Sequence, residues 1–135
     1  LKKYSPIGEL GDFAKEYAES LSESTGHITI ISDRDTVIAV SGGSRKEYMD
    51  RPIGSVVETS MENRRTVFQQ TPGEFEIIKD LPEKYASFVC SPIVAGGDPI
   101  GAVILLSKQE GTTMRQMEVK MAETAAGFLA KQMEQ

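Results

Sequence analysis

Cysteine and histidine are almost missing from this chain, which has one of each, Cys90 and His27. A single cysteine excludes an internal disulfide and any all-cysteine metal site. A single histidine removes most zinc sites as well. Long hydrophobic runs are also missing. The longest, Ala102–Leu106, is far below the ~18–20 apolar residues that a membrane helix requires. Positive charge is in deficit: fifteen Lys and Arg face twenty Asp and Glu, a net charge of −5. An acidic domain repels a phosphate backbone and by itself is a poor binder of nucleic acid. No basic leader with an apolar stretch and cleavage site opens the chain. It starts Leu-Lys-Lys instead of Met. The expectation is a cytoplasmic protein, cut from something longer.

What is present suits one packed domain. Of 135 residues, 39% are apolar and 26% charged, enough for a core and a wet surface. No repeat, linker or low-complexity tract divides residues 1–135, so a single domain is expected.

Periodicity predicts the elements. Ser5 can cap a helix over about 5–24, with Pro6 in its first turn. Ile7, Leu10, Ala14, Tyr17 and Leu21 recur at steps of three and four and form one stripe, and Gly26 suits a left-handed cap. His27–Ser32 and Thr36–Ser41 are β-branched strands around an Asp33-Arg34-Asp35 turn. They are apolar at nearly every position, which suggests a sheet covered on both faces. Residues 42–83 are irregular. Short helices are expected at Ser44–Tyr48 and Ser55–Asn63, and short strands at Thr66–Gln70 and Phe75–Lys79. Ala86–Val94 and Pro99–Ser107 are long apolar strands joined through Gly96-Gly97, with Pro92 expected at a bulge or edge. A helix then runs from about Met114 to Met133, with Thr113 and Gln116 as a capping box. Its apolar residues make two stripes: Met114, Met117, Met121, Ala125 and Phe128, and Val119, Ala122, Ala126, Leu129 and Met133. Together they cover roughly 200° of the helix, about twice what one core needs. The excess surface is expected to meet the first helix or a second subunit. The expected homodimer or tetramer interface is Leu10, Ala14, Tyr17 and Leu21 with Val119, Ala122, Ala126, Leu129 and Met133.

The order helix, two strands, irregular middle, two long strands, helix resembles the GAF family. Ser91–Leu105 (SPIVAGGDPIGAVIL) is similar to that family's closing hairpin, in which a Pro-aliphatic strand, a glycine turn and an Ile-Gly strand recur. Lys2–Leu21, Asp33–Tyr48, Ser91–Ile104 and Glu123–Gln135 together resemble the C-terminal halves of AbrB-type sporulation transcription regulators of endospore-forming bacteria. The resemblance implies an α+β fold. Its antiparallel sheet would carry the N- and C-terminal helices on one face and a cavity under short helices and loops on the other. It also implies a regulatory, oligomerising module, with DNA reached only through a separate N-terminal domain of the swapped-hairpin type, and an effector that it does not identify.

Each candidate site has a plain reading beside the functional one. Ser41, Gly42, Gly43 and Ser44, followed by Arg45 and Lys46, could form an anion nest. They lack the Lys-Ser/Thr ending of a P-loop and are also what an ordinary strand-to-helix turn contains. His27 has no nearby serine–carboxylate or cysteine partner and reads as structural. Cys90, in an apolar strand, reads as a small hydrophobe. GAF-like methionine sulfoxide reductases need several cysteines to complete their cycle, and one cannot. Bilin, haem and cyclic-nucleotide signatures are not visible, so neither cofactor nor metal is expected. Asp33 and Asp35 read as solvated turn ends. In the strand Ala86–Val94, Ser87, Val89 and Ser91 face opposite to Ala86, Phe88 and Cys90. The first, more polar set is the expected cavity lining.

Three functions compete. A sensor domain would bind a small effector and shift the terminal helices, and with them the DNA-binding domains. A structural module would only multimerise, its cavity filled by its own side chains. An enzyme ranks last.

Overall fold

The computed structural model describes residues 6–43 and 45–134. The chain runs α1 (Pro6–Thr25), β1 (Ile28–Ser32), β2 (Val37–Ser41), α2 (Arg45–Tyr48), α3 (Ser55–Asn63), β3 (Val67–Gln69), β4 (Gly73–Ile78), β5 (Leu81–Tyr85), β6 (Ser87–Ala95), β7 (Asp98–Ser107) and α4 (Gln116–Met133). Five strands make an antiparallel sheet in the order β2-β1-β7-β6-β3, and β4 and β5 form a separate hairpin. The expected N-cap Ser5 lies outside the described residues.

α1 and α4 both lie on one face of the sheet. Leu10, Ala14, Ala18 and Leu21 of α1 pack with Ala122, Ala126, Leu129 and Met133 of α4 over Ile31, Val89, Val103 and Leu105. Gly26 ends α1 at φ +77°, its N–H donating to Ser22 O at 2.8 Å. The α4 start differs from the Thr113–Gln116 expectation. Arg115 N–H donates to the Glu118 carboxylate at 2.8 Å, so the cap lies two residues further on, where an acidic partner stands three positions ahead.

The other face is covered by α2, α3 and the β4–β5 hairpin. Gly54 N–H donates to Ile77 O, and Lys79 N–H to Pro52 O, tying the hairpin to the segment before α3. Strand β5 was not expected from the sequence. Its residues Leu81-Pro82-Glu83-Lys84-Tyr85 pair only with β4, and all but Glu83 and Tyr85 are exposed. An edge strand with one solvated face tolerates proline and charge and carries little β signal. Pro92 sits beside a bulge at Ile93–Val94, beyond Cys90, where pairing with β3 has ended.

Two glycines are required by close approach. A Cβ on Gly101 would run into the Ser32 carbonyl of β1, so the Ile100-Gly101 motif marks where β7 crowds a neighbouring backbone. A Cβ on Gly42, at φ +80°, would strike the Ser22 hydroxyl.

Candidate functional site

The layer over the second face is closely packed at its centre. Tyr48, Val57, Ile77, Tyr85 and Phe88 are each at most 1% exposed. Phe88 meets Phe75 and Tyr85 edge-on, with ring centroids 5.0 and 6.2 Å apart. The central space where a cavity was expected is therefore filled by the chain's own aromatics. Clefts remain at its margins.

One, of about 470 Å³, is lined by Pro72, Lys84, Tyr85, Ala86, Lys108 and Glu110. It lies where β5 runs into β6 and where β7 leaves the sheet. Behind it Lys108 is clamped. Its ammonium lies 2.7 Å from Glu83 and 3.9 Å from Glu47, and 5.4 and 6.0 Å from the ring centres of Tyr48 and Tyr85. Burial disfavours its charge, but the bond to Glu83 and the nearby Tyr48 hydroxyl outweigh that and raise its pKa. The Tyr48 and Tyr85 hydroxyls are pushed up chiefly by burial. The buried Tyr48 hydroxyl lies beside Lys108 yet has no hydrogen bond of ordinary geometry. No spacing in the sequence marks this cluster, because its members come from α2, β5 and the loop after β7 and meet only on folding.

The expected lining set is corrected. Val89 packs into the core between sheet and terminal helices, and Ser87 and Ser91 share that face. Ser87 accepts the Met114 N–H at 3.0 Å and donates to Gln69 O at 2.7 Å. The Ser91 hydroxyl lies 3.3 Å from that of Thr66, which donates to Glu123 at 2.7 Å. The cavity-side set is Phe88 and Cys90. The polarity of the serines misled here, because their hydroxyls bond within the chain, toward α4 and β3.

Among the described residues, Ser41 ends β2, and Gly42 and Gly43 belong to the turn from β2 to α2. Gly42 and Gly43 are explained by contact with Ser22 and Ile28, the helix behind them is four residues long, and Ser44 lies outside the described residues. Asp33 is also corrected. It is 8% exposed, and its carboxylate accepts the N–H groups of Asp35 and Thr36 at 2.7 and 2.8 Å, a self-bonded turn. His27 contacts Glu118 at 3.4 Å. Burial pushes the Cys90 thiol up to about 12, so it carries no thiolate at neutral pH. Among the described residues no group of three or more His, Cys, Asp or Glu could hold a metal ion, and no helix is long and apolar enough to cross a membrane.

The expected interface is corrected too. Leu10, Ala14, Leu21, Val119, Ala122, Ala126, Leu129 and Met133 are all buried inside one protomer, and Tyr17 is half-buried at their margin. On α4 the large apolar residues left exposed are on the other stripe. Met117 is 66% and Phe128 39% exposed. Phe128 stacks at 5.0 Å on Tyr17 and edge-on at 6.4 Å against Phe13. Tyr17, Leu21, Met117, Lys120, Met121, Thr124 and Ala125 line a groove of about 280 Å³ between the helices.

Solved structures share this architecture. The GAF domain of an Acinetobacter phosphoenolpyruvate-protein phosphotransferase superposes with a TM-score of 0.75 over 92% of this chain and 81% of its own, at 13% identity. A type II free methionine-R-sulfoxide reductase from Thermoplasma acidophilum gives 0.69 over 92% and 94%, at 14% identity. At such identities the likeness concerns the fold, which is that of a GAF domain. The sequence narrows this further. Residues 9–134 match the family described as "Stage V sporulation protein T C-terminal, transcription factor", and the whole chain is 51% identical to stage V sporulation protein T of Bacillus subtilis (strain 168), covering 75% of that protein. The chain belongs to the stage V sporulation protein T C-terminal family, a transcription-factor family and not an enzyme family.

Proposed function

We propose that this domain is the self-associating, effector-responsive part of a sporulation transcription regulator, and that it acts on DNA only by positioning separate N-terminal DNA-binding domains. The observation that carries the assembly half is the Met117–Phe128 stripe. It continues onto Tyr17 and Phe13 of α1, so an apolar strip crosses both terminal helices on the side away from the sheet. A second copy covering it by a two-fold rotation would bring the two α1 helices together. Segments preceding α1 would then be held in a fixed relation. An effector could alter that relation only by binding one helix arrangement better than another.

A purely structural module is the second reading, and the filled centre of the covered face favours it. The assembly claim is common to both. It is tested by the mass of the chain in solution, by scattering or ultracentrifugation, with and without Phe128→Glu. A dimer or larger that dissociates in the variant supports it. A monomeric parent chain refutes it.

A further inference from the structure

Resting on the effector-responsive reading, we propose that the 470 Å³ cleft between Lys84 and Glu110 is a binding site for a zwitterionic α-amino acid with an apolar side chain. The volume falls in the range of small-molecule sites. What specifies the ligand is the pattern of charge. Lys108 is already held by Glu83 and Glu47. Lys84 and Glu110, the two other charged groups lining the cleft, are both exposed and form no ion pair among the described residues, with each other or with anything else. Opposite charges that share a cleft without meeting leave room between them for a ligand bearing the complementary pair. A carboxylate would go to Lys84 and an ammonium to Glu110.

Ligands of one sign fit less well. A simple anion would meet Glu110, and behind Lys108 the Glu83 carboxylate. A simple cation would meet Lys84 and Lys108. Between the charged groups the wall is Tyr85, Ala86 and Pro72, with the Tyr85 hydroxyl bonded to Glu83, which suits an apolar side chain. Lys108 links the cleft to the rest of the fold, since the same side chain reaches Glu47 and the ring of Tyr48 on α2.

The test is thermal melting and calorimetry of the chain with each L-amino acid, with N-acetyl and carboxamide derivatives, and with a general panel of nucleotides and organic acids. At least one apolar amino acid is expected to raise Tm by roughly 5–10 °C at about 100 times its Kd. Blocking either its ammonium or its carboxylate should weaken binding about ten-fold or more, as the loss of a charge-assisted bond does. Lys84→Glu and Glu110→Lys, both exposed sites, should each weaken it similarly while leaving the ligand-free Tm nearly unchanged. Affinity unaltered in both variants overturns the site. If a compound of another class binds and no amino acid does, this inference falls and the effector reading stands. If nothing in the panel binds, both fall and the structural module remains.

Discussion

Gly101 shows how a single residue can be read from sequence and explained only in space. The Ile-Gly pair belongs to the hairpin by which the family was recognised. The structure supplies the reason, because no side chain fits between β7 and the Ser32 carbonyl. Gly101→Ala should therefore cost about 2–3 kcal/mol, read as a lower midpoint in urea with an unchanged slope. Cys90 makes the opposite case. Its plain reading as a small hydrophobe agrees with a fully buried thiol raised by that burial. A thiol reagent at neutral pH should leave the native protein untouched and label it fully in denaturant. Fast labelling without denaturant would contradict the packing. Asp33 marks the limit of reading one residue at a time. Its carboxylate turns inward onto its own turn, and nothing in a DRD triplet distinguishes that from a solvated end.

At the scale of elements, α4 carries the most information. Glu118 caps its first turn and contacts His27. Burial alone would raise its pKa, but hydrogen bonds from the Arg115 and Glu118 N–H groups, together with His27, lower it overall. A carboxyl whose folded pKa lies below its unfolded value adds stability that is complete above the unfolded value. That contribution disappears as pH falls through the folded value. Glu118→Gln should therefore cost about 0.5–1 kcal/mol at pH 7. The gap between parent and variant should close as acid is added below about pH 4. Denaturant midpoints measured across pH check this, and a constant gap would mean that the carboxylate charge is irrelevant. The two apolar stripes of α4 were legible from its 3.6-residue period. Which stripe faces the sheet was not, because both are equally oily. The decision rests on how the helix is seated by Ser87 at its start and by Ala122, Ala126 and Leu129 along it.

For the whole molecule, that seating separates core from interface. Leu129→Ala should cost about 2–5 kcal/mol, the usual penalty for emptying a buried leucine site. Phe128→Glu should cost no more than about 1 kcal/mol, as a partly exposed position, yet dissociate the assembly. Adjacent residues would then give opposite phenotypes, one seen in the denaturant midpoint and the other in the mass in solution. If both variants unfold equally, Phe128 belongs to the core and the proposed surface disappears.

The order and type of almost every element could be derived from apolar spacing, turn residues and caps, because these are local properties with fixed periods. The family could be recognised as well, since its hairpin carries fixed glycines and prolines. β5 escaped because an exposed edge strand has no apolar pattern to show. Side-chain direction escaped because alternation defines two faces without saying what covers either. Ser87, Val89 and Ser91 were therefore separated correctly from Phe88 and Cys90, and the two sets were assigned to the wrong layers. The Lys84, Lys108 and Glu110 cleft belongs to tertiary structure: Lys84 is distant along the chain from Lys108 and Glu110, and long-range packing alone brings their charges to one opening.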